Sequence, residues 1–167
     1  MRYLVDEREA EPEERLAMYR LALPWAARQG DRAAVVVRPA DHHDPAVLRG
    51  LLGLGPRERD AGPGAGTVGD DEVRVVCAPD ARFVAALTGT AAPAGAISGD
   101  LSPAVDVVVY LGRRRLYGCY DYGRVQMMAL RENELESLRA AFREAGIDPA
   151  RIVPAPPYVA GQEEDEG

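Results

Sequence analysis

The run Ala33-Ala34-Val35-Val36-Val37-Arg38-Pro39 decides how the chain is read. Five consecutive small or β-branched apolar residues favour extended backbone, because branching at Cβ restricts χ1 and packs well on a pleated surface. No polar residue alternates with them. That pattern belongs to a strand covered on both faces, as in a parallel sheet between helix layers. Pro39, with its locked φ and missing N–H, ends the run.

Working outward, residues 2–5 form a short first strand, and residues 12–29 carry a helical spacing. Pro12 suits the first turn, Glu13 and Glu14 complement the positive end, and Leu16, Tyr19, Leu23 and Ala27 share a face. Pro24 predicts a kink near residues 20–24 or a pair of shorter helices. Downstream, Asp44 is a helix cap with Pro45 at the first helical position, and Val47, Leu48, Leu51 and Leu52 form its buried stripe. Residues 53–72, rich in Gly, Pro, Arg and acid, form a long loop. Strand 73–77 and a short helix opened by Asp80 and closed by Gly89 follow. A second small-residue loop spans 90–103.

From residue 105 the style changes. Val105–Leu111 and Arg115–Tyr122 are strands, joined by a tight turn in which Gly112 accepts positive φ. Val125–Leu130 adds a third strand. Leu135, Leu138, Phe142 and Ala145 define a helix over 132–145, and Ile152-Val153 a terminal edge strand. Strand–helix alternation up to residue 89 points to parallel crossovers, and the later part to antiparallel pairing. The expected fold is α/β or α+β: one domain over residues 1–160, with a mixed β-sheet. Its N-terminal part is parallel and βαβ-like, an antiparallel hairpin or meander lies near residues 105–130, and helices pack against the sheet. Residues 161–167 read as a disordered acidic tail.

Composition narrows function. All 20 basic residues are arginine, so no lysine nucleophile, Schiff base or phosphate-loop lysine exists. The net charge is −7, of which Glu163, Glu164, Asp165 and Glu166 supply four. The remaining chain is close to balance, which disfavours a nucleic-acid partner. Two cysteines, Cys77 and Cys119, lie in apolar runs and read as buried free thiols. No apolar core long enough for a signal peptide opens the chain, and no run of 18 apolar residues occurs, so the expected compartment is the cytoplasm, with no membrane contact.

Two constellations carry chemistry. Arg113, Arg114 and Arg115 cluster at the hairpin turn, Arg124 lies toward the other end of the same ribbon, and Tyr117 and Tyr120 lie between. Tyrosine supplies apolar area and arginine directional bonds, the combination enriched at protein contacts. The leading expectation is a cofactor-free protein-binding or regulatory domain, whose partner is another protein or a second copy of itself.

The string Asp41-His42-His43-Asp44 follows the strand 33–38, at the kind of strand end where ligands bind in parallel sheets. Carboxylate oxygens and imidazole nitrogens suit manganese or zinc. Asp41, His42 and His43 also resemble the signature string of a family of manganese-dependent phosphoesterases, in which it likewise follows a hydrophobic strand. The match covers those three residues. That family adds an acidic pair at an early strand end, further separated aspartates and a glycine-histidine motif; here the first strand ends in Asp6-Glu7 and no third histidine occurs. The resemblance implies the alternative expectation of a metal-dependent phosphoesterase or nucleotide hydrolase. Asp41, His42, His43 and Asp6 would hold the metal, and metal-bound hydroxide would be the nucleophile. Asp80, Asp100 or Asp121 would have to supply further carboxylates. The segment Gly62–Gly69 lacks the preceding strand, following helix and lysine of a phosphate loop.

Overall fold

A computed structural model describes residues 1–58, 71–89 and 101–156. The strands are β1 (Arg2–Val5), β2 (Arg32–Val37), β3 (Arg57–Glu58), β4 (Val73–Cys77), β5 (Asp106–Leu111), β6 (Arg114–Tyr120), β7 (Val125–Ala129) and β8 (Ile152–Pro154). The helices are α1 (Pro12–Gln29), α2 (Pro45–Leu52), α3 (Ala81–Thr88) and α4 (Glu132–Glu144). The eight strands form one sheet in the order β3-β4-β2-β5-β6-β7-β1-β8. Every neighbouring pair is antiparallel.

The expectation of a parallel N-terminal part in a mixed sheet is therefore corrected. Helices do connect strands that point the same way: β4 and β5 across α3, and β7 and β8 across α4. In each case an antiparallel strand lies between them, β2 in the first and β1 in the second. These are split β-α-β units. Strands β1 and β2, joined by α1, also point the same way but stand four places apart. The crossover geometry is present; adjacency is not, because a strand from elsewhere in the chain is inserted. The antiparallel meander β5-β6-β7 occupies residues 106–129.

All four helices lie on one face. One core cluster joins Met18, Tyr19 and Leu23 of α1, Leu51 of α2, Phe83 and Leu87 of α3, and Leu135, Leu138 and Phe142 of α4 to Val35, Val37, Val107, Val109, Tyr117, Cys119, Met128, Val5 and Ile152 of the sheet. Val36, expected in a doubly buried strand, is half-exposed on the other face. Helix α1 runs through Pro24 as one element. The carbonyl that loses its donor belongs to Arg20, an exposed residue, so solvent can satisfy it. Trp25 ties α1 to α4, its Nε1 donating to Ser137 Oγ at 3.2 Å.

The long loop after α2 is shorter than expected, since Arg57–Glu58 pairs with β4 as the edge strand β3. Residues 59–70, 90–100 and 157–167, which include the Gly62–Gly69 segment, Asp100 and the acidic tail, lie outside the described residues. A β-bulge interrupts the face alternation of β6. Val109 pairs with Tyr117 and Tyr110 with Arg115, so Leu116 is an extra residue. Leu116 and Tyr117 are consequently both buried, while Arg115 joins the opposite face. Among the described residues no helix is long and apolar enough to cross a membrane.

Candidate functional site

The face without helices is read from the register. Val76 stands beside Ala34, Ala34 beside Val108, Val108 beside Gly118, Gly118 beside Met127, Met127 beside Leu4 and Leu4 beside Val153. One row thus crosses seven strands with an apolar residue or glycine at every position. At the usual inter-strand spacing it is about 29 Å long. The same register puts Asp106 and Tyr120 on one side of this row, with Val36 and Val125. Arg74 stands beside Val36 on that same side and reaches the Tyr110 hydroxyl at 3.5 Å; Arg32, Tyr110 and Arg115 stand on the other side, with Ala129 and Arg2.

The centre of the face is built around Tyr120. Its ring lies flat over Gly118, filling the space a side chain would take there. Its hydroxyl accepts a hydrogen bond from Arg115 Nη1 at 3.2 Å. Arg32 lies over the Tyr110 ring, 4.7 Å from its centroid, a cation–π contact. Asp106 accepts from the Asp121 N–H at 3.2 Å and makes no ion pair among the described residues. Burial raises its pKa above the ordinary carboxylate value.

Toward one end, Leu4, Val125, Val153 and Pro154 wall a cleft of about 570 Å³. A buried polar chain runs from it into the core: Arg15 Nε donates to Glu7 at 3.2 Å, Gln126 Nε2 to Glu7 at 2.6 Å, and the Tyr117 hydroxyl to Gln126 Oε1 at 2.9 Å. Gln126 is 1% exposed. Desolvation holds the Glu7 carboxyl above its usual pKa, against the hydrogen bonds from Gln126 and Arg15.

The arginines and tyrosines singled out from the sequence are dispersed. Arg113 is exposed in the two-residue turn beside Gly112, whose φ is 60°. Arg114 is engaged in the body, donating to the Ala129 carbonyl at 2.6 Å and to both carboxylate oxygens of Glu134 at 2.7 and 2.5 Å. Arg115 and Tyr120 lie together on the helix-free face. Tyr117 is wholly buried on the helix side. Arg124 lies at the opposite end of the ribbon, 3.4 Å from Asp121. Arg32, Asp106 and Gly118 carry no local signal and are identified only by register.

The Asp-His-His string lies elsewhere. Asp41 accepts a hydrogen bond from the Tyr122 hydroxyl and stands 3.7 Å from Arg38. His42 is half-buried; desolvation lowers its pKa, and its Nε2 is shielded with no partner among the described residues. His43 is exposed. Asp6 is held by a two-point contact with Arg8 at 2.9 Å, which lowers its pKa to about 2. It directly follows β1, four strand places from β2 and so about 19 Å across the sheet from the end that leads to Asp41. Asp80 caps α3 at the far end of the sheet. Asp121 is exposed and paired with Arg124. Among the described residues no group of three or more His, Cys, Asp or Glu is placed to hold a metal.

Tyr122 instead fixes a loop. Asp121, Tyr122 and Gly123 have φ of 50°, 56° and 96°, a left-handed turn that is costly for a bulky residue. The Tyr122 N–H donates to Val105, and its carbonyl accepts from Leu101 and Ser102 at 2.7 and 2.9 Å. These bonds and the Asp41 contact tie β6–β7 to the entry of β5.

No family model matches the chain, and no curated protein or solved structure matches it either.

Proposed function

We propose that this chain is a protein-contact domain that works through the helix-free face of its sheet. The observation that carries the reading is the apolar row from Val76 to Val153 on a face that none of the described helices covers, with Val76, Val108, Met127, Leu4 and Val153 half-exposed and the Tyr120 ring lying over Gly118. Burying such a row against a protein surface gains roughly 25 cal/mol per Å² of apolar area removed from water. Tyr110 and Tyr120 add large, stiff contact area, and Arg32 and Arg115 add directional donors, the pairing typical of interface centres. The cleft beside Leu4 gives the row a recess able to take an apolar side chain.

Site-directed photo-crosslinking in living cells tests this. A photoreactive amino acid at Val108 or Met127 should yield a discrete protein adduct. The same group at Arg143, exposed on α4, should not. Equal adducts from both faces, or none from Val108 and Met127, would overturn the reading.

A further inference from the structure

We infer that the partner protein presents a carboxylate side chain, set among apolar neighbours, to the Tyr110 region at the centre of this face; this rests on the contact-face reading above. The argument is the balance of hydrogen-bond donors and acceptors. Arg32 on β2 and Arg115 on β6 stand on either side of Tyr110, so their backbones are about 10 Å apart with β5 between them. Arg32 lies over the Tyr110 ring. Arg74 Nη2 donates to the Tyr110 hydroxyl at 3.5 Å. Arg115 donates to the Tyr120 hydroxyl at 3.2 Å and also reaches that of Tyr110. Three guanidinium groups thus gather on two phenol rings.

Acceptors run short there. A guanidinium offers five N–H donors and accepts nothing. Arg74 is paired with Glu58 at 3.0 Å. Arg32 and Arg115 are exposed, and neither forms an ion pair among the described residues. The other acids nearby have donors of their own: Asp31 accepts from the Gly112 N–H at 2.8 Å, and Asp106 from the Asp121 N–H at 3.2 Å. Since both phenol oxygens accept from arginine, their O–H groups are left to donate to a newcomer. A carboxylate brings two acceptor oxygens and makes charge-assisted bonds to guanidinium. Its apolar neighbours would meet Val108 and Met127 in the row.

The same surroundings select a single carboxylate over a phosphate chain. Glu58 and Asp106 stand close by, and the whole chain carries a net charge of −7, so each added negative charge is repelled.

The photoreactive group at Val108 tests this once its adduct is digested and the attachment point on the partner is mapped. An aspartate or glutamate should stand next to that point or next but one. Arg32→Glu and Arg115→Glu should each cut the adduct yield roughly tenfold or more, while Arg143→Glu on α4 leaves it unchanged. Changing the mapped acid of the partner to arginine should restore the yield with Arg32→Glu, and restoration also shows that the variant is folded. If Arg32→Glu melts well below the wild type, Arg32→Gln replaces it and should still lower the yield. A mapped segment without an acid, or a yield indifferent to both arginines, would overturn the inference and leave the contact face standing. An adduct to nucleic acid, or a link within the chain to residues 157–167, would overturn it as well. No adduct at Val108 or Met127 brings down the contact face itself.

Discussion

The Tyr120 ring lies against Gly118 two residues earlier on the same strand, so closely that a Cβ on Gly118 would fall 2.6 Å from Tyr120 Cε2. Glycine here is set by the ring above it. Gly118→Ala should expel the ring, release Arg115 and lower stability by ~1–2 kcal/mol. In a Tyr120→Ala background the same change should cost far less, since the obstructing ring is gone. Chemical denaturation of the four proteins of this double-mutant cycle checks it, and additive effects would contradict the contact.

Glu134 accepts two bonds from Arg114 and a third from the Arg131 N–H at 2.7 Å, which caps α4. The Arg114 hydrogen bonds are the main cause of its pKa falling to about 2 from 4.5. A depressed carboxyl pKa stabilises the fold above the unfolded value, so this contribution is full above pH 4.5 and fades as pH falls toward 2. Glu134→Gln should remove about 2 kcal/mol at neutral pH and flatten the stability curve between those limits. Urea unfolding as a function of pH reads both effects.

Gln126 is the middle of the chain between Glu7 and Tyr117. Gln126→Leu leaves both neighbours without their carboxamide partner in a buried setting, and should cost ~2–3 kcal/mol despite the added apolar surface. Gln126→Glu should be worse at neutral pH than at pH 4, because it sets a second carboxylate beside Glu7. Thermal melts at the two pH values distinguish them.

Asp121 is exposed and has φ of 50°. Asp121→Gly should be neutral or raise the melting temperature by a few degrees, since its exposed pair with Arg124 contributes little. Asp121→Val should lower it, because a β-branched residue tolerates positive φ poorly. Equal effects of the two substitutions would dissociate the turn from backbone strain.

Burial pushes the Cys119 thiol to about 12 and the Cys77 thiol to about 11. Neither has an appreciable thiolate fraction at neutral pH. Both should resist a thiol-specific reagent in the folded protein and react together, as two equivalents, in denaturant. A native thiol reacting within seconds would contradict their packing.

Local chemistry was legible where it depends on near neighbours. The Asp44 carboxylate caps α2 by accepting from the Ala46 N–H at 2.8 Å, and Asp80 caps α3 through Arg82 and Phe83 at 3.0 and 3.1 Å, as the spacing of acid before proline or apolar residues suggests. Partner choice was not legible. Ala33–Val37 has the same pattern beside a parallel or an antiparallel neighbour, and a half-exposed Val36 reads like a buried one. On the candidate face, Arg115 and Tyr120 stand out by type, whereas Tyr117 reads as a surface residue because nothing local announces the bulge at Leu116. Arg32, Asp106 and Gly118 converge only once three strands are aligned.

Strand β1 is held between β7 and β8, so the third to fifth residues of the chain pair with positions 127–128 and 152–154. During synthesis on a ribosome the first strand emerges with neither neighbour in existence. It stays unpaired until the β7 residues 125–129 have been made, and closing so long a loop is slow. Pairing of β1 with both β7 and β8 completes the end of the sheet where Leu4 and Val153 meet.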